Sequence, residues 1–371
     1  MKVALCHARA GSGHLKAAEA LGAAFGAYAP QVETSLTDAV EAAHGFFSTP
    51  YARVYNVFVN HAPAAWGLLH DLTNVKPLAR LARPLRTAWN SFAAEPFVRR
   101  VLASPHDAWI STHFFAANVL ATLRRGGRLK GRAITVVTDF RVHAFWVNPG
   151  TDAYVVMHED AACDLRAWGV RGVPILTTGI PVHPQFLAPI ARGPLAKEWG
   201  LEADRLTLLL SSGTFGTGPL AAVLRGADAL EQVQFLVICG RNERVYQEIT
   251  QLAAGLRSPC QVFGFTHRVP DLMALSDIAI VKPGGLTTSE CLACSVPMIL
   301  IQPIPGQERG NADFLERHGA AREAHSAGQV IDLLREWVAS RDARDAMKQA
   351  AARIAKPHAS RDLVRWILSL S

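Results

Sequence analysis

The sequence predicts an α/β protein with two Rossmann-like domains, each built on a parallel sheet with helices on both faces. The length of 371 residues exceeds one ordinary hydrophobic core and suits two domains. The composition, 50% hydrophobic and 19% charged, is that of a globular chain. Short apolar runs alternate with longer helical patterns along the whole sequence, and this alternation indicates parallel strands joined by crossover helices.

The strands are expected where aliphatic and β-branched residues cluster between polar or glycine-rich turns. In the first half the expected strands are residues 3–6, 32–36, 108–111, 133–137 and 153–156. In the second half they are residues 207–211, 234–239, 261–263, 278–281 and 298–301. Helical patterns lie between them, including residues 15–27, 219–230 and 243–256.

The domain boundary is expected near residues 179–184, where Pro181 and Pro184 interrupt the alternation. We therefore predict an N-terminal domain over 1–180 and a C-terminal domain over 195–355. Residues 356–371 have apolar side chains at helical spacing, so we expect a last helix there that packs back across the joint.

The segment from about residue 44 to residue 100 breaks the alternation and is an insertion between strands. Between residues 72 and 94 it contains basic residues and no acid. Such a segment suits a helix lying in a membrane interface, or a helical hairpin packed on the sheet with a solvated basic edge. Its aromatic residues include Phe46, Phe47, Tyr51, Tyr55, Phe58, Trp66, Trp89 and Phe92, and its basic residues Lys76, Arg80, Arg83 and Arg86.

The net charge of +7 is concentrated in the first half of the chain. Residues 1–180 contain 18 Lys and Arg against 12 Asp and Glu, whereas residues 181–371 contain 20 against 19. This excess fits an anionic partner surface, either nucleic acid or an anionic bilayer. No apolar run is long enough to span a membrane.

The N-terminus is expected to form a strand rather than a signal peptide, so the six cysteines are expected to be reduced thiols in a cytoplasm. Cys291 and Cys294 have CxxC spacing, but no second pair accompanies them. We interpret them as small apolar residues of a packed helix, and we expect no metal site.

Two adjacent glycines, Gly284 and Gly285, lie between an expected strand and an expected helix. Bare backbone at a helix N-terminus lets N–H groups approach a ligand closely, and the helix dipole favours an anion there. Glu290 follows about one and a half helical turns later, where its carboxylate could accept hydrogen bonds from the ribose of a nucleotide. The stretch therefore predicts a phosphate site.

Two further polar loops follow strands of the same half. The loop of residues 212–218 contains Gly213 among small residues, and the loop of residues 305–311 contains Gln307, Glu308 and Asn311. Amide and carboxylate groups suit sugar hydroxyls. Open α/β sheets bind ligands at the carboxyl ends of their strands, where all three loops are expected.

In the first half, Gly11, Gly13 and His14 follow the first expected strand. The spacing lacks the third glycine of a dinucleotide fingerprint, although Asp38 at the end of the second strand leaves a nicotinamide-dependent oxidoreductase as an alternative. A histidine at a helix N-terminus stays unprotonated more readily and can serve as a base.

A second acid–base group follows a later strand. Asp139 lies at the expected strand end, and His143 is four residues further on. A carboxylate at such a strand end faces the ligand cleft, where it could orient a histidine or take a proton itself. Whether His14 or Asp139 is the base stays open at this point.

Together these motifs resemble the monogalactosyldiacylglycerol synthase and processive diacylglycerol glucosyltransferase family, which is related to the peptidoglycan UDP-N-acetylglucosamine transferase and has the two-domain GT-B fold with a cleft between its domains. The resemblance runs from GSGHLKAAEAL at 11–21 through VVTDFRVHAFWV at 136–147 and TTGIPVHPQF at 177–186. It continues through VFGFTHRVPDLMALSDIAIVKPGGLTTSE at 262–290 to PGQERGNADFL at 305–315. The joint spacing of the last two motifs is its most specific part.

The resemblance implies a role for each matching residue. On the donor side it implies diphosphate, ribose, uracil and sugar contacts by Gly213, Phe263, Gly264, Phe265, Gly284, Gly285, Leu286, Thr287, Glu290, Gln307, Glu308 and Asn311. On the acceptor side it implies catalytic roles for His14, Asp139 and His143, and acceptor contacts by Gly11, Gly13 and Trp146. The loop at residues 211–216 reads SSGTFG, where relatives tend to have more glycines. Residues 40–100 resemble the family mainly in the kinds of residue they contain rather than in a motif.

The resemblance implies an inverting transfer of glucose or galactose from UDP to a lipid hydroxyl, most simply that of diacylglycerol. No cofactor and no obligate metal are expected. The partners would be UDP-glucose or UDP-galactose, the lipid and an anionic membrane, with no nucleic acid. The location would be cytoplasmic, peripheral on the inner face of the cell membrane. The alternatives are a polyprenyl-linked or small-molecule acceptor, a UDP-sugar epimerase of the same fold, and a nucleic-acid binder.

Overall fold

The computed structural model describes residues 1–8, 12–45, 62–202, 204–211, 213 and 218–370. Gly11 and the aromatic residues expected between 46 and 58 lie outside these ranges. The chain forms two compact units, the first of residues 1–184, 304–311 and 358–371 and the second of residues 185–303 and 312–357. Each unit contains one six-stranded sheet in which all neighbouring strands are parallel.

The sheet of the first unit has the strand order β2-β1-β3-β4-β5-β6. Its strands are β1 (Lys2–His7), β2 (Glu33–Asp38), β3 (Ala108–Ser111), β4 (Arg132–Val136), β5 (Ala153–Val155) and β6 (Ile175–Leu176). The helices of the described residues in this part of the chain are α1 (Gly13–Tyr28), α2 (Pro63–Thr73), α3 (Lys76–Ala93), α4 (Glu95–Ala103), α5 (Phe114–Arg125) and α6 (Glu159–Ala167).

Both faces of this sheet are buried because helices cover each of them. Successive side chains of a strand point to opposite faces, so Leu5 packs against the α1 side while Cys6 packs against the α4 and α5 side. The last helix, α15 (Ala359–Leu368), also packs on α1 and adds Leu363 and Ile367 to the same core. Fully covered parallel strands of this kind read as continuous apolar runs.

The described part of the inserted segment, from residue 62 onward, forms the helices α2, α3 and α4. Helix α3 is fixed to the unit by a polar face, since Asn90 Nδ2 donates to Asn118 Oδ1 at 3.0 Å. Its opposite face is apolar and exposed, with Leu81 80% and Leu85 76% accessible. Helix α3 thus packs on the domain, as the interpretation as a packed helical hairpin expected. It also presents an apolar and basic surface, as the interpretation as a membrane-interface helix expected.

The sheet of the second unit has the order β12-β11-β10-β7-β8-β9. Counted within the unit, this is the 3-2-1-4-5-6 order of dinucleotide-binding folds. Its strands are β7 (Leu206–Ser211), β8 (Val233–Ile238), β9 (Cys260–Phe263), β10 (Ile278–Val281), β11 (Met298–Ile301) and β12 (Ala321–Ala324). The helices of residues 185–357 are α7 (Arg192–Glu198), α8 (Leu220–Ala227), α9 (Glu243–Ala253), α10 (Val269–Leu275), α11 (Gly285–Ala293), α12 (Gln307–Arg317), α13 (Ala327–Ala339) and α14 (Arg341–Ile354).

The ten strands expected from the sequence are all present, within two residues at each end. Strands β6 and β12 were not predicted. Strand β6 has only two residues, and β12 reads AREA, so neither gives an apolar run. The two-domain α/β prediction is confirmed, whereas the assignment of acceptor and donor roles to residues 1–180 and 195–355 stays a prediction.

No helix of the described residues combines the length and the apolar character that crossing a bilayer requires.

Candidate functional site

The strand order of each sheet indicates where a ligand site is expected. In the first sheet the chain leaves β1 toward β2 and then returns to β3 on the other side of β1. In the second sheet it leaves β7 toward β8 and returns to β10. Ligands of open α/β sheets bind at such switch points, outside the carboxyl ends of the strands. The predicted residues His14 and Gly284 each follow a strand at one of these points.

His14 is held by residues that follow β3 and β4. Its Nδ1 lies 2.7 Å from the carbonyl oxygen of Thr112 and 3.0 Å from Thr138 Oγ1. Because a carbonyl oxygen can only accept, Nδ1 must carry the proton. The neutral ring therefore has an unprotonated Nε2, which is the form that a general base requires.

The surroundings of His14 favour the neutral ring. Burial lowers the pKa of His14, while the negative charge of Asp139 and the bond to the Thr112 carbonyl oppose this shift. The ring of His113 lies edge-on to it at 4.5 Å between centroids. A buried neutral imidazole beside a carboxylate can accept a proton, since the carboxylate then stabilises the imidazolium that forms.

Asp139 is fixed by two donors from different parts of the chain. Trp146 Nε1 donates to Oδ2 at 2.9 Å, and Gln307 Nε2 donates to Oδ1 at 3.2 Å. Trp146 is almost fully buried, and its indole lies 6.3 Å from the ring of His14. The carboxylate is thereby oriented near His14, while its oxygens already accept hydrogen bonds.

His143 uses both of its ring nitrogens for local structure. Nε2 donates to the carbonyl oxygen of His70 at 3.0 Å, and Nδ1 accepts from the N–H of Phe145 at 3.2 Å. Burial and the neighbouring His70 lower the pKa of His143 to about 4. These bonds tie His143 to α2 and to the turn that contains Trp146, and its predicted catalytic role stays a prediction.

Residues 304–311 form the turn before α12 and its first five residues rather than the expected loop, and they lie within the first unit, beside Asp139. Asn311 Oδ1 accepts from the N–H of Phe140 at 2.9 Å, and Glu308 Oε2 accepts from the N–H of Ile304 at 2.8 Å. Gly306 has a φ of +83°, and an added Cβ would lie 2.6 Å from the His70 ring. The residues that the resemblance assigns to the donor sugar therefore contact the acceptor-side carboxylate directly (Gln307) or through its neighbour Phe140 (Asn311).

In the second unit, β10 leads into the N-terminus of α11. Gly284 is the N-cap residue with extended backbone, and as a glycine it supplies no capping side chain. The hydroxyls of Thr288 and Ser289 donate back to the carbonyl oxygens of Gly284 and Gly285. As at any helix N-terminus, the first N–H groups have no partner within the helix, so this mouth suits an oxyanion. Leu286 and Thr287 lie in this first turn, and Glu290 is half-buried on the same helix.

A partly exposed aromatic side chain follows β9. Phe265 is 40% exposed, with the guanidinium carbon of Arg241 4.3 Å from its ring centroid. An added Cβ at Gly264 would make only an ordinary contact, at 3.7 Å from the carbonyl oxygen of Gly240. An exposed ring with bare backbone beside it suits a nucleobase. Phe263 ends β9, where its carbonyl oxygen accepts from the N–H of Cys239.

Some predicted residues are only partly characterised. Gly213 has a φ of +74°, and nothing lies within 4 Å of an added Cβ, while most of its loop is outside the described ranges. Gly13 is the first residue of α1. Asp38 Oδ1 accepts from the N–H groups of Val40 and Glu41. Among the described residues no three His, Cys, Asp or Glu side chains form a metal-binding group.

Sequence reasoning missed the residues that orient His14. Thr112 and His113 follow β3 just as His14 follows β1, so the strand-end rule alone could have found them. The carbonyl oxygen of Thr112 could not have been found, because a backbone acceptor has no residue signature. His70 had no signal either, since a single histidine on a helix is usually a surface residue.

The chain is similar to known proteins over most of its length. Residues 14–182 match the family model described as monogalactosyldiacylglycerol (MGDG) synthase, and residues 220–354 match that of group 1 glycosyl transferases. A probable chloroplastic monogalactosyldiacylglycerol synthase from Nicotiana tabacum is 31% identical over 96% of this chain and 68% of its own length. A processive diacylglycerol beta-glucosyltransferase from Bacillus subtilis (strain 168) is 32% identical over 67% of this chain. The match spans 65% of the length of that Bacillus protein.

Solved structures share the fold at low identity. MurG from Acinetobacter baumannii superposes with a TM-score of 0.60 at 16% identity, covering 99% of both chains. HepE from Anabaena, in complex with UDP and glucose, gives a TM-score of 0.56 at 15% identity over both full chains. A UDP-GlcNAc 2-epimerase from Neisseria meningitidis gives 0.61 at 11% identity, also over both full chains. These similarities confirm the predicted GT-B fold.

Proposed function

Because the chain belongs to the monogalactosyldiacylglycerol synthase family, we propose that it transfers a hexose from a UDP-sugar to the free hydroxyl of diacylglycerol. The observation that carries this proposal is His14, whose Nδ1 proton is committed to the Thr112 carbonyl oxygen and whose Nε2 is left as a base. The names of the relatives supply the lipid and the class of transfer. The donor hexose is glucose or galactose.

In the proposed reaction the first unit supplies the base. His14 Nε2 takes the proton of the acceptor hydroxyl as its oxygen attacks the anomeric carbon from the face opposite to UDP. A new carbon–oxygen bond forms, the bond to the diphosphate breaks, and the configuration at that carbon inverts. The negative charge of Asp139, which favours the protonated form of His14, would stabilise the resulting imidazolium. General-base catalysis of this kind contributes about 10²–10⁴-fold in rate.

The second unit supplies the stabilisation of the leaving group. The first N–H groups of α11 would donate to the diphosphate, and Glu290 would accept from the ribose hydroxyls. Preorganised N–H donors favour the charge that grows on the leaving group in the transition state. The helix N-terminus would thus stabilise the negative charge of the leaving diphosphate by hydrogen bonds. We therefore propose that the reaction needs no obligate metal and no cofactor.

We further propose that α2 and α3 hold the protein on an anionic membrane. Nine of the fourteen exposed large apolar side chains of the described residues lie between residues 68 and 92, so they form one surface rather than a scatter. Lys76, Arg80 and Arg83 lie on the same helix, α3. Each basic residue near an anionic surface contributes about 1 kcal/mol to attachment. In a cell this would place the protein on the inner face of the cell membrane.

The same surface favours a lipid acceptor over the alternatives that share the fold. A UDP-sugar epimerase acts on a water-soluble substrate and has no use for an exposed apolar face. A polyprenyl-linked acceptor would also use such a face, so an experiment must distinguish diacylglycerol from a polyprenyl-linked acceptor.

In the decisive experiment the full chain is incubated with vesicles that contain diacylglycerol. UDP-glucose is the donor in one reaction and UDP-galactose in another. Released UDP and product glycolipid are measured together. We expect stoichiometric UDP and glycolipid with at least one donor. Vesicles without diacylglycerol, and vesicles with a polyprenyl phosphate instead, are the controls. Absence of glycolipid with both donors, or transfer only to the polyprenyl lipid, would contradict the proposed acceptor.

A further inference from the structure

A buried asparagine of the first unit, Asn148, follows the 3₁₀ turn Ala144–Trp146. The residue is only 3% exposed. Its Nδ2 donates to the carbonyl oxygens of Phe145 and Trp146, each at 3.2 Å. The last carbonyl groups of a helical turn have no donor within the turn. Asn148 therefore supplies the donor that closes this turn.

The remaining bonds of Asn148 fix the direction in which its amide points. Its Oδ1 accepts from Asn118 Nδ2 at 2.8 Å and from Arg86 Nη2 at 3.3 Å. Because a guanidinium only donates and a carbonyl oxygen only accepts, the amide oxygen must face Arg86 and the amide nitrogen must face the turn. The main-chain N–H of Asn148 donates to the hydroxyl of Tyr154 at 3.0 Å. Both the side chain and the main chain of Asn148 are thus held in place.

The turn that Asn148 closes contains the residue that orients the acceptor-side carboxylate. Trp146 Nε1 donates to Asp139 Oδ2 at 2.9 Å, and the indole lies 6.3 Å from the ring of His14. Trp146 is only 1% exposed, so its indole is packed on all sides and follows the main chain that carries it. Two consecutive hydrogen bonds, from Asn148 to Trp146 and from Trp146 to Asp139, therefore join the buried amide to the carboxylate.

We propose that Asn148 is a positioning residue for the transfer: by closing the turn it keeps the indole of Trp146 donating to Asp139 and so keeps the carboxylate beside His14. Asn148 does not touch the reacting groups and acts through Trp146. It lies one residue beyond the motif at 136–147. This inference rests on the proposed function and specifies how the charge that stabilises the imidazolium is held.

The first test is a double-mutant cycle with glycolipid formation as the assay. We expect Asn148→Ala to lower kcat by about tenfold, the effect of one lost hydrogen bond. In the background of Trp146→Phe, which has no indole N–H, the same substitution should lower kcat by no more than about twofold, because both residues act on Asp139 along one path. Equal factors in the two backgrounds would contradict the proposal.

The second test follows the pKa of His14, which a merely structural role of Asn148 would not lower. Burial lowers this pKa and the negative charge of Asp139 raises it, while the ring of His113 also faces His14. Once Asp139 moves away in Asn148→Ala, the pKa of His14 should fall further, so the acid limb of kcat/KM should move to lower pH. A general loosening would instead admit water and raise the pKa. An unchanged or raised pKa would overturn the inference.

The same pKa is measured without transfer, by nuclear magnetic resonance of the full chain labelled with ¹³C-histidine. The signal of His14 is assigned by its absence in His14→Gln. Asn148→Ser, which keeps a hydroxyl that can donate to one carbonyl oxygen, is titrated alongside in case alanine prevents folding, and the same direction is expected. A wild type that transfers no hexose would refute the proposed function, whereas this titration still decides whether Asn148 holds Asp139 beside His14.

The matched control is Gln234→Ala on β8, in the second unit. Gln234 is 2% exposed, and its amide bonds the main chain of Glu202 at 2.8 and 2.9 Å and the hydroxyl of Thr207 at 2.9 Å. Its removal takes away a comparably bonded buried amide without touching the turn. We expect a lower thermal midpoint with the pKa of His14 unchanged. The same fall of this pKa in Gln234→Ala as in Asn148→Ala would refute a specific role of Asn148.

Discussion

At the scale of single residues, the proposed catalysis depends on which ring nitrogen of His14 carries the proton. The carbonyl oxygen of Thr112 fixes the proton of His14 on Nδ1, and Thr138 Oγ1 lies beside the same nitrogen. Asp139 is held by Trp146 and Gln307, which commits its oxygens to accepting hydrogen bonds. These contacts favour His14 over Asp139 as the base and leave Asp139 to stabilise the charged imidazole.

Replacing His14 by glutamine should remove the base and leave nucleotide binding intact. We expect His14→Gln to lower kcat for transfer by about 10²–10⁴-fold. The affinity for UDP should not change, because the residues assigned to the diphosphate, the ribose and the uracil lie in the second unit. The assay is glycolipid formation, with calorimetric titration of UDP in parallel. His325→Gln, at a histidine that is 70% exposed, is the matched control, and equal loss in both variants would remove His14 from this role.

The pH dependence of transfer should reflect the lowered pKa of His14. The base acts in its unprotonated form, and burial lowers its pKa from the usual 6.5. Protonation therefore begins only at lower pH, so kcat/KM should stay near its plateau as pH falls through 6.5 and decline below it. The measurement is a pH profile of kcat/KM between about pH 4 and pH 8. A decline that is centred above pH 6.5 would show that another group is titrating.

At the scale of elements, α2 is a helix with two different faces. One face exposes Leu68, Leu69 and Leu72. The other packs on the turn before α12, where Gly67 meets Pro305 and His70 lies over Gly306. The same helix thus belongs to the proposed membrane surface and contacts the turn that leads into Gln307, the first residue of α12.

A methyl group on the inner face of α2 should be destabilising. In Gly67→Ala the added Cβ would lie 2.6 Å from the Cβ of Pro305, which requires the turn before α12 or the helix to move. We expect a loss of about 1–3 kcal/mol and weaker transfer, since this turn leads into Gln307, which donates to Asp139. The matched control is Gly26→Ala in α1, where nothing lies within 4 Å and alanine should be neutral or stabilising. Thermal unfolding of both variants tests this, and equal midpoints would refute the tight contact.

Polar residues on the outer face of α3 should weaken attachment to vesicles. Leu81 and Leu85 are 80% and 76% exposed, and a leucine contributes about 1.5–3 kcal/mol when its side chain is removed from water. We expect the double variant Leu81→Gln, Leu85→Gln to lower the partition coefficient for anionic vesicles by about tenfold or more. The partition coefficient is obtained from the fraction of protein that sediments with the vesicles. Leu36→Gln on β2, where the leucine is 49% exposed, should have no effect. Unchanged sedimentation of the double variant would exclude this face as the attachment site.

At the scale of the whole molecule, the fold could be predicted because apolar runs and helical patterns alternate along the entire chain. The expected strands 108–111, 278–281 and 298–301 have the bounds that the structure gives them. Strand β12 was missed because its residues, AREA, give no apolar run, since two charged residues separate its two buried alanines. Helix α3 could not be assigned to packing or to a membrane surface, because it has one polar packed face and one apolar exposed face.

The candidate site was predictable only in its individual residues. The strand-end rule found His14, Asp139 and the glycines of α11. The contacts that give them their roles join distant positions: His14 with Thr112, 98 residues apart, and Asp139 with Gln307, 168 residues apart. Such pairs depend on the tertiary arrangement, so no local pattern could have predicted the tautomer of His14 or the partner of Asp139.

The central claim is that the N-terminus of α11 holds the diphosphate of a uridine nucleotide while Glu290 binds its ribose. Isothermal titration of UDP into the full chain tests this most directly, with Glu290→Ala and the matched control Glu336→Ala, at an exposed glutamate of α13. We expect saturable binding by the wild type and the control, and affinity about tenfold or more weaker in Glu290→Ala. The absence of any heat of UDP binding in the wild type, or equal affinity in Glu290→Ala, would contradict the account.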